Sequence, residues 1–96
     1  MPTVQVRRTG NARWLRAAID GVQLEWQKEN ENDDARSVSK PKDLPVGEHV
    51  LNWFAKGGDG ESYGFEVIQP PGTPCVIGPL TFEGEGFDFG DCVFQL

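Results

Sequence analysis

No window of the 96-residue sequence approaches the roughly eighteen consecutive apolar residues that would cross a bilayer as a helix. The N-terminal segment also lacks the apolar stretch of a secretory signal, because Arg7, Arg8, Arg13 and Arg16 interrupt it. The expectation is a soluble chain without membrane insertion, its compartment left open. Basic residues are scarce, nine Lys and Arg against fifteen Asp and Glu, for a formal charge of −6. Phosphate backbones and anionic lipid surfaces both require a basic face, so nucleic acid and membrane surfaces are excluded as expected partners. Histidine occurs once, at His49, so a Ser-His-Asp or Cys-His set has no other base to draw on. Apolar residues at helical spacing are also missing over any ten positions, and Gly and Pro punctuate the chain throughout, with 12 and 7 copies.

What remains reads as strand and turn. Asp20-Gly21 suits the type I′ turn of a two-residue hairpin. Placing it there pairs Ile19 with Val22, Ala17 with Leu24 and Leu15 with Trp26 on one apolar face. Arg16 then meets Glu25, and Trp14 meets Gln27, on the other face. Thr3 to Arg8 reads as a short first strand. The polar stretch at about 29–43 carries few large apolar side chains to offset its ordering entropy, and is expected to be a mobile connection. Glu48 to Ala55 and Ser62 to Gln69 read as a second hairpin around Gly57 to Gly60. After the Pro70-Pro71-Gly72-Thr73-Pro74 break, Cys75 to Phe82 and Phe87 to Leu96 read as a third. The chain ends on apolar residues, so its last strand is expected to be paired. Ninety-six residues suit one domain with one core, and ten aromatic residues supply that core with large buried areas. The fold class expected is all-β, an antiparallel β-sandwich of immunoglobulin-like or jelly-roll-like kind spanning 1–96, with a small open β-barrel as the alternative.

The chemical motifs are weak. Gly84-Glu85-Gly86-Phe87-Asp88-Phe89-Gly90 has a dinucleotide-like glycine spacing, yet its third glycine falls one place late, no helix follows, and its carboxylates would repel phosphate. Asn30, Asn32, Asp33 and Asp34 offer oxygen ligands for a calcium alternative. Ala35, however, stands where the loop glycine belongs and Pro41 where the closing glutamate belongs. With Phe82 facing Phe87, Ile77 lies opposite Cys92 and Cys75 is displaced diagonally, a register that favours two free, packed thiols over a disulfide. Paired carboxylates such as Glu83 with Glu85, or Asp88 with Asp91, lack the deep cleft that glycoside hydrolysis uses. No metal or cofactor is expected.

Aromatics carry the one suggestive pattern. The hairpin register sets Trp14 on the polar face with Arg16, Glu25 and Gln27, and an exposed indole beside polar side chains can anchor a protein partner or stack on a sugar ring. The function expected is a non-enzymatic β-sandwich interaction module that binds a protein partner or forms a homo-oligomer. The runner-up is a carbohydrate-binding module in which Tyr63 or Trp53 joins Trp14 on a glycan. A small enzyme using His49 stands third.

Overall fold

The computed structural model describes residues 1–32 and 35–96. In chain order the strands are β1 (Thr3–Thr9), β2 (Trp14–Ile19), β3 (Val22–Gln23), β4 (Trp26–Lys28), β5 (Arg36–Ser39), β6 (Lys42–Asp43), β7 (Glu48–Gly57), β8 (Ser62–Gln69), β9 (Val76–Thr81) and β10 (Gly86–Gln95). They form two antiparallel sheets. The first runs β4-β5-β1-β8-β9, with β6 also paired to β1, and the second runs β10-β7-β2-β3. Neither closes on itself, so the architecture is a β-sandwich and not a barrel.

Alternation decides which side chains enter the interlayer. Val4 and Val6 of β1 and Tyr63, Phe65 and Val67 of β8 meet Ala17 and Ile19 of β2, Leu51 and Ala55 of β7, and Phe94 of β10 in one cluster. Burying a side chain of this size contributes roughly 1.5–3 kcal/mol. Two polar groups enter the same layer with partners. The Val6 N–H donates to Ser39 Oγ at 2.9 Å, which satisfies the serine where β1 changes register between Gln5 and Val6. The Tyr63 hydroxyl donates to Asp88 Oδ2 at 2.6 Å and ties β8 to β10 across the sandwich. Burial, and then the Asp88 carboxylate, raise the Tyr63 phenol above its ordinary value.

The Asp20-Gly21 turn forms as its chemistry requires, with φ of 51° and 80° at the two residues. Ala18 pairs with Gln23 and Ile19 with Val22, and the Leu24 N–H donates to the Ala17 carbonyl at 2.9 Å. The expected hairpin then stops short. Trp26 leaves for the first sheet, where it pairs with Ser39, so Leu15 has no strand partner on the β3 side and pairs only along its other edge, with Ala55 of β7.

The other two hairpins are corrected outright. β7 and β8 lie in different sheets, as do β9 and β10, because β9 pairs with β8 and the ten-residue β10 pairs along all of β7. The glycine-rich links therefore arch between layers. Arching also overturns the expectation of free thiols. Cys75 enters from the first sheet and Cys92 from the second, their Cα atoms 5.9 Å apart, and they form a disulfide that staples the two layers. The last strand is paired, as its apolar residues suggested.

The stretch read as a mobile connection at 29–43 holds β5 and β6. Both add to β1, with Arg7 opposite Val38 and Val4 opposite Lys42. Ladder hydrogen bonds and the burial of Val38 and Ser39 order a segment whose composition alone could not.

Candidate functional site: an exposed aromatic sheet face

The buried residues of β7 fix the face on which its remaining side chains emerge. His49, Leu51 and Ala55 point inward, and Trp53 packs against Tyr63 and Phe65 of the opposite sheet at ring distances of 5.6 and 5.8 Å. The intervening Val50, Asn52, Phe54 and Lys56 therefore stand on the outer face. On β10 the inward set is fixed by Asp88, Cys92 and Phe94, which leaves Phe87, Phe89, Asp91 and Val93 outside.

Register then assembles rows across the sheet. Trp14, Lys56 and Phe87 form one row, Arg16, Phe54 and Phe89 the next, and Ala18, Asn52 and Asp91 a third. Phe87 stacks on Phe54 at 6.1 Å and on Phe89 at 6.3 Å, while the Arg16 guanidinium lies over the Trp14 indole at 5.1 Å. Trp14 keeps 46% of its surface exposed, Phe87 60% and Phe89 71%. Beside them a shallow groove of about 310 Å³ runs over Arg16, Ala18, Gln23 and Asn52, and Asn52 donates to Asp91 at 2.5 Å.

Of the four side chains expected at a binding surface, the structure brings two together. Trp14 and Arg16 share the outer face. Glu25 does not oppose Arg16 but pairs with Lys40 at 3.1 Å, and Gln27 sits opposite Val38 in the first sheet. The reason is the early exit of the chain after Leu24. Tyr63 and Trp53, expected beside Trp14 in the glycan reading, face between the layers instead. Phe54, Phe87 and Phe89 were not singled out from sequence. The usable signal was the parity of Cys92 with Phe94, which becomes decisive only once Cys92 is known to point at Cys75.

The remaining candidates are elsewhere. His49 is buried at the sandwich end. Its Nδ1 donates to Asp20 Oδ2 at 2.5 Å and its Nε2 to the Pro45 carbonyl at 2.7 Å. Two acceptors and no donor require both ring nitrogens to carry protons, so the site favours imidazolium. The Asp20 contact first, and the Pro45 carbonyl second, raise the His49 pKa, and the same contact with His49 lowers that of Asp20. Its ring neighbours are a carboxylate and a backbone carbonyl, and both cysteines are consumed by the disulfide. In the calcium alternative, Asn32 N–H donates to Asn30 Oδ1 at 3.1 Å in a local turn, while Asp33 and Asp34 lie outside the described residues. Among the described residues, no three His, Cys, Asp or Glu side chains gather as a metal site.

Fold and surface together define an antiparallel β-sandwich with an aromatic outer sheet face. No family model, curated protein or solved structure matches this chain.

Proposed function

We propose that the chain is a non-enzymatic β-sandwich interaction module that assembles with a second copy of itself through the outer face of its second sheet. The observation that carries this reading is the outer-face group of exposed Phe87 and Phe89 stacked about the half-buried Phe54, with exposed Trp14 across Lys56 in the same row. Side chains of this size left in water forfeit burial energy, and contiguous apolar patches mark docking surfaces. The group also suits a two-fold axis along the strands. That operator lays β10 of one copy over β2 of the other, so Phe87 and Phe89 meet Trp14 and Arg16 of the second copy.

Size sets the strength. β7 and β10 run ten residues, β2 six and β3 two. At about 3.3 Å per residue and about 4.8 Å between strands the face is at most roughly 30 by 15 Å, so two copies bury no more than about 900 Å². That is the low end of specific interfaces, so the dimer forms with rising concentration and dissociates on dilution. Each copy carries −6, so added salt strengthens assembly by screening repulsion. The interlayer disulfide fits use in an oxidising setting.

The test is NMR at increasing protein concentration. The Trp14 indole and the amides of Phe87 and Phe89 should shift while those of Val6 and Val67 stay in place. Shifts confined to the first sheet would refute the assignment.

A further inference from the structure

The arginines of this acidic protein are not distributed evenly among its carboxylates. Arg7 is neutralised by Glu29 at 2.5 Å and lies 4.0 Å from Glu66, and Lys40 pairs with Glu25. Arg8, Arg13 and Arg16 have no carboxylate within ion-pair distance among the described residues. These three unpaired guanidiniums line a single groove of about 270 Å³ together with Trp14, Leu15 and Trp26, and no acidic side chain lines it.

The groove lies where β2 parts from β3 and the chain crosses to β4. Arg8 is held there on both sides, donating to the Leu15 carbonyl at 2.7 Å and lying 4.6 Å from the Trp26 ring centre. Burial lowers its pKa, and its two contacts supply no opposite charge, so an anion in the groove would favour its charged form. Arg16 is likewise set over Trp14. Arg13 is exposed and free to close on a ligand.

Three features narrow the ligand. A volume under the roughly 300–1,000 Å³ of drug-sized pockets suits one ring and not a larger molecule. The surrounding net charge of −6 repels a polyanion, so the anionic group must be isolated. A peptide docking by strand addition needs open backbone groups, yet the Arg8 guanidinium already occupies the Leu15 carbonyl on this edge of β2. An indole face beside several N–H donors matches a pyranose, whose C–H face is apolar and whose rim accepts hydrogen bonds.

We propose that this groove binds a single acidic sugar unit, a uronate or a sulfated pyranose, with Arg13 and Arg16 on its anionic group and the Trp14 indole against its ring. The site shares Trp14 and Arg16 with the proposed dimer face, so sugar and second copy compete for them. Arg13 and Trp26 lie outside the aromatic rows, so at a dilution where the chain is monomeric the two readings can fail separately.

The experiment is an NMR titration read at the indole N–H signals, with glucuronate, a sulfated glucose, uncharged glucose and a short acidic peptide as probes. Saturable shifts of Trp14 and Trp26 with either acidic sugar are expected, and the tighter of the two identifies the anionic group. Glucose should bind about tenfold more weakly, the worth of one charge-assisted hydrogen bond. Arg13→Ala should reduce affinity severalfold while melting like the wild type, and Arg16→Gln should do the same. If losing the Trp14 contact unfolds the second variant, Arg13→Ala alone decides. Equal binding of glucose, tighter binding of the acidic peptide, undiminished binding by Arg13→Ala, or no saturable shift would each overturn the proposal.

Discussion

Replacing Cys75 and Cys92 together by alanine probes the joint between the layers. Cys75 is fully buried and its carbonyl accepts from the Val67 N–H at 3.0 Å, so the bridge fastens the β8–β9 ladder to β10. The two residues are 17 apart in sequence. Closing a loop of that length removes about 10.5 cal/mol/K from the unfolded chain, or about 3 kcal/mol at 25 °C. For a domain of this size each kcal/mol moves Tm by about 4–8 °C, so the double variant should melt roughly 12–24 °C lower. Urea unfolding supplies a second signature. The unbridged chain expands further when unfolded, so the m-value should rise as the midpoint falls. Wild-type protein in reductant should reproduce both changes. A loss under about 1 kcal/mol with an unchanged m-value would refute the staple.

Stability should also respond to pH through His49 and Asp20. The raised pKa of His49 gives a contribution that is complete below its unfolded value of about 6.5 and is lost as pH rises through the higher folded value. The lowered pKa of Asp20 gives one that is present above about 3.8 and is lost as pH falls through the folded value. Denaturant midpoints of His49→Gln measured from pH 5 to 9 should show a smaller decline above about pH 6.5 than the wild type, and equal declines would exclude the pair as its source. Gly10 has φ +104°, and a Cβ there would lie 2.2 Å from the Ser62 carbonyl oxygen, whereas Gly60 at φ +80° has open space around it. Gly10→Ala should cost at least about 2–3 kcal/mol and Gly60→Ala about 1–2; equal costs by urea unfolding would deny the close approach of the two backbones. Trp14→Ala should cost about 1 kcal/mol of stability, well below the roughly 3–5 of a buried tryptophan, and a loss in that higher range would place the indole in the core.

Local chemistry was legible and layer assignment was not. Asp20-Gly21 announces its own turn because two residues with positive φ fit few other structures, and the alternation around it gave the inward face of Ala17, Ile19 and Leu24. Nothing comparable marks an arch. Gly57 to Gly60 and Glu83 to Gly86 look like hairpin loops, yet the strands they join find better partners in opposite sheets. Trp26 was misplaced for the same reason, since its departure depends on the Lys40 N–H reaching the Glu25 carbonyl at 2.8 Å, a contact 15 residues away in the chain. The site was half visible. Trp14 and Arg16 follow from the turn, but Phe87 and Phe89 lie on a strand with apolar residues on both faces. The interlayer disulfide, the Tyr63–Asp88 bond and the burial of Phe94, all tertiary, decide which set points out. Polar composition misled at Arg36 to Ser39, where pairing with β1 outweighs sparse apolar content.

Sedimentation over a wide concentration range, comparing wild type with Phe89→Asp, tests the proposed assembly most directly. Val46→Asp is the control, since Val46 is 77% exposed in the turn before β7, outside the aromatic rows, and its replacement adds the same charge. Wild type and Val46→Asp should rise from the 10.6 kDa monomer toward twice that mass, further in added salt, while Phe89→Asp stays monomeric. Wild-type protein that remains a monomer at every concentration, or a Phe89→Asp variant that dimerises like the control, would contradict the account.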